Sequence, residues 1–368
     1  MSPQEIQNVP YFDLRRQYDA LKDEIDAATA RVYQSGYFIL GGELSAFEEE
    51  FAAYCGVSHC VGVNSGTDAL LLAFRALGLS AGDEVATVSA TFFATVIGPL
   101  LTGARLTFVD IDPMTRLMDP ALLEQVLTAE TKLIVPVHLY GRMADMGAIA
   151  DLADKVGAKV VEDACQAHGA RTCGIGPGMK SDCAVYSFYP TKNLGAFGDA
   201  GAVVTNDEGL ATRLRELRNY GSTEKYHHPM PGVNSRLDEL QAAILRVKLT
   251  YLDEWNARRR AIARRYLSEI ENEKIVLPDI PEGDGHALYV FAVEADDRDG
   301  LREHLSKRGI GSLIHYPSPL HHQQALDDYR DVRLPHTERL FGRVLSLPLF
   351  PELTDDEAER VIRAVNDF

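Results

Sequence analysis

Lys192 is a candidate nucleophile at the start of a glycine-rich turn between two apolar runs with β-strand character. The runs contain β-favouring side chains such as Tyr186 and Val203, and three glycines allow the turn a tight backbone path. A lysine in such a turn is shielded from bulk water, which favours the neutral amine that attacks an aldehyde to form a Schiff base. A solvated surface lysine in an ordinary hairpin has the same local pattern, so the rest of the chain must decide between the two.

Two strand-to-helix junctions carry groups that suit a flat, anionic ligand. Gly66 and Thr67 stand where a helix begins, and the free backbone amides of a helix N-terminus bind anions. A capping turn with Ser65 or Thr67 as the cap and no ligand has the same pattern. At the next junction, one of Phe92 and Phe93 could cover a ring face while the other enters the core, or both could be core residues.

The end of a third apolar strand carries two carboxylates. Because side chains alternate along a strand, Glu162 and Asp163 point to opposite faces and only one of them enters a site at the strand end. That carboxylate could pair with a protonated ring nitrogen, or Asp163 could simply cap a helix. Gln166 and His168 either orient polar ligand atoms or hydrogen-bond to each other and to the backbone.

The order of the predicted elements indicates an α/β fold. From Cys60 onwards, strand patterns alternate with helical patterns, which is typical of a mostly parallel sheet covered by helices on both faces. The two strands joined through the Lys192 turn are the expected place for an antiparallel pair. The predicted strands are 60–64, 84–90, 105–110, 132–139, 159–163, 183–189 and 202–206.

A smaller α/β unit is predicted at the C-terminal end. We divide the chain into a large domain over residues 1–250 and a small domain over 251–368, with the N-terminal segment available to pack on the small domain. A long helix is predicted over 238–256 and on to about residue 270. The small domain is expected to hold a strand over 287–293, a helix over 298–308 and a terminal helix from Asp355.

The composition is that of an ordinary globular protein and argues against two kinds of partner. The 368 residues include 37 basic and 54 acidic side chains, and the net charge of −17 argues against nucleic-acid binding. No apolar run approaches the ~20 residues of a membrane helix and no basic-then-apolar signal opens the chain, so a cytoplasmic location without membrane contact is expected. The five cysteines include no Cys-x-x-Cys pair and are expected to be free thiols.

Together the candidate groups match one cofactor. An anion-binding site suits the phosphate of pyridoxal 5′-phosphate, and an aromatic side chain suits its ring. A buried carboxylate suits the pyridine nitrogen, and an amine suits the aldehyde. All four groups lie at the sheet edge where open α/β folds bind ligands. The chain also resembles the DegT/DnrJ-type nucleotide-sugar aminotransferases, which are fold-type I pyridoxal-phosphate enzymes. The resemblance rests on the segments 64–70, 91–95, 162–170, 184–205 and 232–243, and it extends over nearly the whole chain.

The resemblance implies a role for each matching residue of the cofactor site. Lys192 would form the Schiff base and move the proton, and Asp163 would keep the pyridine nitrogen protonated. Phe92 would stack on the ring, and Gln166 would contact its phenolic oxygen. The implied phosphate ligands are Gly66, Thr67, Ser187 and Asn234 of the partner subunit. A homodimer with shared active sites follows from the last of these.

The resemblance also implies where the substrate lies. The candidate contacts are Tyr189, His315, Tyr316, Lys225 and Arg236 of the partner subunit. The planar fork of an arginine suits a diphosphate. Ser235 stands where family members often have Tyr, which places one substrate contact in doubt. The histidines at 315, 321 and 322 lack a helical i, i+4 pair with a carboxylate, so no metal site is expected.

The implied activity is transamination of a nucleotide-linked ketosugar with L-glutamate as the amino donor. The Lys192 turn and the His-Tyr-Pro at 315–317 are similar to members that aminate C-3 of a keto-6-deoxyhexose, with thymidine diphosphate as the nucleotide by analogy. A 4-aminotransferase of the same fold is one alternative, and a non-catalytic cofactor-binding regulator is another. Dehydratases of this family have histidine in place of Lys192.

Overall fold

Two β-sheets and their covering helices make up the chain, for which the computed structural model describes residues 8–368. The strands are β1 (His59–Val63), β2 (Glu84–Val88), β3 (Arg105–Val109), β4 (Thr131–Val135), β5 (Lys159–Asp163), β6 (Cys183–Ser187), β7 (Gly201–Thr205), β8 (Ile275–Val276), β9 (Phe291–Ala295) and β10 (Val344–Leu347). The helices are α1 (Leu14–Ser35), α2 (Gly42–Cys55), α3 (Gly66–Ala76), α4 (Ala94–Thr102), α5 (Pro120–Val126), α6 (Met146–Val156), α7 (Glu208–Leu217), α8 (Glu239–Leu249), α9 (Leu252–Glu269), α10 (Arg298–Lys307), α11 (Pro335–Arg343) and α12 (Asp355–Asn366). Within this range, no helix combines the length and the apolar character needed to cross a membrane.

The larger sheet has seven strands in the order β1-β7-β6-β5-β4-β2-β3. The pairs from β3 through β6 are parallel, and β7 runs antiparallel to both β6 and β1. Parallel neighbours need a crossover connection, usually a helix, whereas the segment 188–200 between β6 and β7 contains no helix, so the chain reverses direction there. The predicted seven-stranded, mostly parallel sheet and the place of its antiparallel pair are confirmed.

Both faces of this sheet are buried by helices. Along β7, Val203 belongs to the apolar cluster that contains residues of α3 and α7, whereas Ala202 and Val204 belong to the cluster that contains residues of α2 and α8. This alternation follows from the two-residue period of a strand. Strands buried on both faces have continuous apolar sequences, which is why these strands were visible in the sequence.

The smaller sheet is antiparallel, in the order β10-β9-β8, and packs with α9, α10 and α12 around Phe291 and Val293. The N-terminal segment joins this part, because Val9 pairs with Ile310 and the Arg16 guanidinium donates two 2.7 Å hydrogen bonds to the Glu357 carboxylate. The division of the chain at residue 250 stays a prediction.

Several predicted boundaries were wrong. The predicted helix over 238–270 is two helices, α8 and α9. Between them, the backbone amides of Thr250 and Tyr251 donate to the carbonyls three residues earlier, those of Val247 and Lys248. The Thr250 hydroxyl also donates to the Val247 carbonyl. The fourth strand ends at Val135 rather than at residue 139, where a short 3-10 helix begins. The sequence analysis did not find β8, β10 or α11, of which the first two are only two and four residues long.

Candidate active site

A cavity of about 610 Å³ opens at the carboxyl edge of the larger sheet. The loops after β1 and β2, the ends of β5 and β6, and the turn that leads into β7 all contribute to its lining. The amino end of β7 meets the same edge because that strand is antiparallel. Of the residues predicted for the site, the cavity brings together Gly66, Thr67, Phe92, Asp163, Gln166, Ser187, Tyr189, Lys192, His315 and Tyr316.

An anion cradle forms where α3 begins. Ser65 caps the helix by accepting a 3.1 Å hydrogen bond from the Asp68 amide, as one of the two capping alternatives predicted. The amides of Gly66 and Thr67 belong to the first turn, where backbone donors have no intrahelical acceptor. A Cβ on Gly66 would lie 2.7 Å from the Ser187 Cβ, so only glycine lets the helix begin this close to β6. The amides of Gly66 and Thr67 and the hydroxyls of Thr67 and Ser187 therefore line one end of the cavity.

Asp163 is the carboxylate that enters the cavity, and Glu162 lies on the opposite side of its strand. Asp163 is 6% exposed and accepts hydrogen bonds from the Thr95 hydroxyl (2.8 Å) and the Cys165 amide (3.2 Å). Glu162 is fully buried and hydrogen-bonds to the His138 imidazole at 2.7 Å. No helix follows β5 directly, so Asp163 does not act as a helix cap. Its oriented carboxylate is available to a cationic N–H.

Gln166 lies at the centre of a hydrogen-bond chain. Its Oε1 accepts from the Tyr140 amide at 2.7 Å and its Nε2 donates to the Tyr316 hydroxyl at 3.1 Å, which fixes the orientation of the amide. An amide NH₂ has two hydrogens, so one N–H remains for a further acceptor.

His168 does not reach the cavity. Its ring packs against two core aromatics, and burial lowers the pKa of His168 to about 3.

The Lys192 side chain is half-buried and its Nζ lies 4.1 Å from the centroid of the Tyr289 ring. The ring face attracts an ammonium group and covers the amine from one side. The Lys192 amide donates to the Tyr189 carbonyl at 2.8 Å, which closes the first part of the turn. A Cβ on Gly195 would lie 2.3 Å from the Pro190 carbonyl oxygen, so the turn can pass this point only with glycine.

Three polar side chains of α8 and α9, which we call the α8–α9 clamp, hold alternate residues of the Lys192 turn. Asn256 Oδ1 accepts a hydrogen bond from the Asn193 side-chain amide (2.9 Å), and Lys248 Nζ donates to the Gly195 carbonyl (2.5 Å). Gln241 Oε1 accepts from the Phe197 backbone amide (2.8 Å). Lys248 is fully buried, and burial lowers its pKa to about 7. The clamp fixes the backbone on which the nucleophile candidate stands.

Phe92 and Phe93 have different environments, as the first of the two predicted alternatives stated. Phe92 is 55% exposed, lines the cavity and lies 5.6 Å from the Tyr316 ring, whereas Phe93 packs against an apolar core cluster. Thr91 hydrogen-bonds to Thr95 at 2.8 Å, and this pair links the Phe92 junction to Asp163. The Phe92 ring is therefore free to cover a planar ligand.

The opposite wall of the cavity comes from irregular segments of the C-terminal part. The His315 Nδ1 hydrogen-bonds to the Ser346 hydroxyl at 2.9 Å, and the His315 carbonyl accepts from the Tyr140 hydroxyl at 2.5 Å. Burial, and secondarily the charge of Lys192, lowers the pKa of His315 to about 4. Burial also raises the pKa of Tyr316. At neutral pH this wall therefore presents an uncharged imidazole and a protonated phenol.

Three predicted residues lie outside this chain's cavity. Asn234 pairs with Asn219 through the backbone, and the Arg236 guanidinium donates to the Asn219 side chain at 3.0 Å. Lys225 is exposed and lies over the Tyr226 ring. The roles of these three residues stay predictions.

The sequence analysis missed several cavity residues. Tyr289 lies just before β9, and only the fold brings it to Lys192. Cys165 also lines the cavity and gave no local signal, and neither did Tyr140, which lies behind the lining and hydrogen-bonds to Gln166 and His315. Thr95 lies behind the lining and hydrogen-bonds to Asp163. It could have been found, because Thr91 and Thr95 lie four residues apart at a strand-to-helix junction and hydrogen-bond to each other at 2.8 Å.

Comparison with known proteins identifies the family of the chain. Residues 19–366 match the DegT/DnrJ/EryC1/StrS aminotransferase family. The dTDP-3-amino-3,4,6-trideoxy-alpha-D-glucose transaminase of Streptomyces venezuelae is 49% identical, with 99% of this chain and 97% of that protein covered. The erythromycin biosynthesis sensory transduction protein EryC1 of Saccharopolyspora erythraea is 48% identical, with 96% and 98% covered. The crystal structure of S. venezuelae DesV in complex with a ketimine intermediate has a TM-score of 0.95 at 49% identity, with 98% of each chain covered. The chain belongs to the DegT/DnrJ/EryC1/StrS aminotransferase family, as its motifs predicted.

Proposed function

We propose that the protein transfers an amino group from L-glutamate to C-3 of a dTDP-linked 3-keto-6-deoxyhexose, with pyridoxal 5′-phosphate as the cofactor, in deoxyaminosugar biosynthesis. The observation that carries this proposal is the convergence of Lys192, Asp163 and Gln166 with the first turn of α3 in one cavity. The name of the 49% identical S. venezuelae transaminase supports the sugar and the position.

The cavity residues fit this cofactor. The site that Gly66 keeps open beside Ser187 offers amides and hydroxyls to a phosphate, and such donors at a helix N-terminus bind phosphate well. Asp163 would accept the ring N–H, Phe92 would cover the ring, and Gln166 would donate its remaining N–H to the phenolic oxygen. When bound, the cofactor supplies an aldehyde that exchanges with amines and a ring that withdraws electrons from the reacting carbon.

The chain's own residues supply the remaining chemistry. Lys192 is the amine nucleophile and the group that takes and returns the proton at its Nζ, and the clamp and the Tyr289 ring limit where this atom can move. Asp163, which is oriented by Thr95, would hold the ring nitrogen of the cofactor. The neutral imidazole of His315 adds no positive charge beside Lys192.

The substrate would lie between Tyr189 and the pair His315 and Tyr316. We assign the phosphate contact to Asn234 of the partner subunit and the diphosphate contact to Arg236 of the partner subunit, with Lys225 as a further contact. A homodimer with shared sites is supported by the exposed apolar side chains of the segment 37–40, namely Tyr37, Phe38, Ile39 and Leu40, which are 40–72% exposed in the single chain. We place this reaction in the cytoplasm.

Spectroscopy and product analysis test the proposal. Protein loaded with pyridoxal phosphate should show the visible absorption of a cofactor linked to Lys192, and L-glutamate should bleach it. Lys192→Ala should lose this band and all turnover, whereas Lys155→Ala, which removes an exposed lysine paired with Glu124, should keep both. Turnover by Lys192→Ala would refute the assignment.

The same experiments distinguish the proposed reaction from two alternative functions. A 4-aminotransferase would give a product with nitrogen on C-4, which NMR distinguishes from the C-3 product. The name of the 48% identical EryC1 protein favours a regulatory role as the second alternative. A regulator of that kind would show the lysine-linked band but would not convert any nucleotide-linked ketosugar.

A further inference from the structure

A group of potential metal ligands lies outside the cavity. His321 and His322 belong to a short 3-10 helix over 320–322, and Glu338 belongs to the first turn of α11. One ligand atom from each of the three residues lies within 4.8 Å of the other two. The sequence analysis expected no metal site because it looked for a carboxylate at helical spacing, whereas this carboxylate comes from a different helix.

His321 is held as a ligand-binding histidine would be. Its side chain is fully buried, and its Nδ1 lies 2.7 Å from the Ser89 hydroxyl, which fixes the orientation of the ring. The Nε2 is buried, has no hydrogen-bond partner among residues 8–368, and points toward Glu338. Metal-binding histidines commonly have this arrangement, with one ring nitrogen held by a protein group and the other directed at the ion.

The spacing between His321 and Glu338 suits a shared ion better than a hydrogen bond. The Nε2–Oε1 distance is 3.4 Å, which is longer than the ~2.7–3.2 Å of ordinary N–H···O bonds. Two ligand atoms that each lie about 2.1 Å from a tetrahedral ion are separated by about 3.4 Å. Glu338 Oε1 also accepts from the Leu334 amide at 3.1 Å, so the carboxylate is already oriented.

We propose that His321, His322 and Glu338 bind one divalent transition-metal ion, of which Zn²⁺ is the best match. Two imidazoles and one carboxylate are a common zinc ligand set, and a water completes the tetrahedron. Mg²⁺ and Ca²⁺ prefer oxygen ligands and match this set poorly.

The ion would have a structural role next to the active site. It joins the 320–322 helix to α11 and, through the Ser89 contact, to the end of β2. Tyr316, on the cavity wall, lies five residues before His321 in the same irregular segment. Because His322 is exposed, the ion can enter and leave without unfolding of the protein.

Metal loading of the full-length, cofactor-loaded protein tests the proposal. After incubation with Zn²⁺ and dialysis, mass spectrometry should find one zinc per chain, and Co²⁺ in its place should give the d–d absorption of a tetrahedral site. Zn²⁺ should raise the Tm of the wild type. His322→Ala and Glu338→Gln should bind zinc at least about 10-fold more weakly and lose the Co²⁺ spectrum.

His336→Ala is the matched control, since His336 is an exposed histidine on the first turn of α11 and lies outside the ligand group. It should bind zinc as the wild type does. Because His322 is exposed, its loss should leave the fold intact, which circular dichroism verifies. Wild-type protein that retains no zinc, zinc binding that is unchanged in His322→Ala, or an equal loss in His336→Ala would each overturn the proposal.

Discussion

The two walls of the cavity are built differently. The wall to which we assign the cofactor, called the cofactor wall, consists of Asp163, Ser187 and Lys192, which lie at strand ends or in the turn between two strands. The substrate wall consists of His315 and Tyr316, which lie in segments outside the strands and helices. Strand ends are fixed by a ladder of backbone hydrogen bonds, whereas irregular segments depend on individual side chains. This difference suits one wall to constant chemistry and the other to variable substrates.

The contacts behind each wall show the same difference. The turn that carries Lys192 is held by the three side chains of the α8–α9 clamp in addition to its strands. The substrate wall is held by side-chain hydrogen bonds outside any sheet, namely those of His315 with Tyr140 and Ser346 and that of Tyr316 with Gln166. We therefore expect substitutions in the cofactor wall to impair both half-reactions, and substitutions in the substrate wall to impair only the half-reaction with the sugar.

Among the substitutions that compare the two walls, the largest effect is expected for Asp163→Asn. The amide keeps the size of the side chain but removes the negative charge beside the ring nitrogen, so both half-reactions should slow by about 10²- to 10³-fold. Stopped-flow absorbance with L-glutamate, and separately with the ketosugar, measures the two rates. Asp119→Asn, which changes the half-buried cap of α5 outside the cavity to an equally good capping residue, should have no effect. A loss confined to one half-reaction would contradict the comparison.

Lys248→Met tests the clamp through the pH dependence of stability. The pKa of Lys248 in the folded protein, about 7, lies below its ordinary value of 10.5 because of burial, with Glu352 and Arg259 acting in opposite directions. Between these two values the unfolded state binds more protons, so rising pH stabilises the wild type relative to Lys248→Met. From pH 7 to pH 9 the wild type should gain at least about 1 kcal/mol, since one pH unit adds up to about 1.4 kcal/mol.

Urea unfolding of the two cofactor-loaded proteins at several pH values measures this difference. Well below pH 7 both states keep the proton, and the difference in unfolding free energy should be constant. Parallel curves from pH 7 to pH 9 would show that the buried amine has its ordinary pKa, and the clamp would then contain a charged group.

The cofactor wall was predictable from the sequence because its signals are local. Asp163 ends an apolar strand and Lys192 stands in a glycine-rich turn, so a short stretch of chain was enough to find each. Tyr289 could not be found in this way, since its contact with Lys192 joins parts of the chain about a hundred residues apart. The break at Thr250 was also hidden, because the backbone and side-chain hydrogen bonds that mark it lie within an otherwise helical sequence pattern. Tertiary contacts decide such features.

Tyr316→Phe should have a smaller and more selective effect. It removes the hydroxyl that accepts from Gln166, and one hydrogen bond contributes about 1 kcal/mol, or about 5-fold in rate. We expect this loss in kcat/KM for the ketosugar and an unchanged rate of bleaching by L-glutamate. Equal losses in the two half-reactions would mean that the hydroxyl orients Gln166 toward the cofactor and that Tyr316 belongs functionally to the cofactor wall.

The last prediction is that the His315 imidazole does not titrate near neutral pH. Because the pKa of His315 is lowered to about 4, its ring signal in NMR should not shift between pH 5 and pH 8. His315→Gln assigns the signal by removing it. The unfolded state binds more protons than the folded state between pH 4 and 6.5, so His315 destabilises the fold only as the pH falls through that range.

Comparison with Lys192→Met separates the two causes of this shift. Burial is the larger cause and the charge of Lys192 the smaller, so removing the charge should raise the pKa of His315 without restoring the ordinary value of 6.5. A return to 6.5 would mean that the cofactor wall alone sets the charge state of the substrate wall. An unchanged value would mean that the two walls are electrostatically independent, and that the enclosure of His315 by its own segment is sufficient to keep the imidazole neutral.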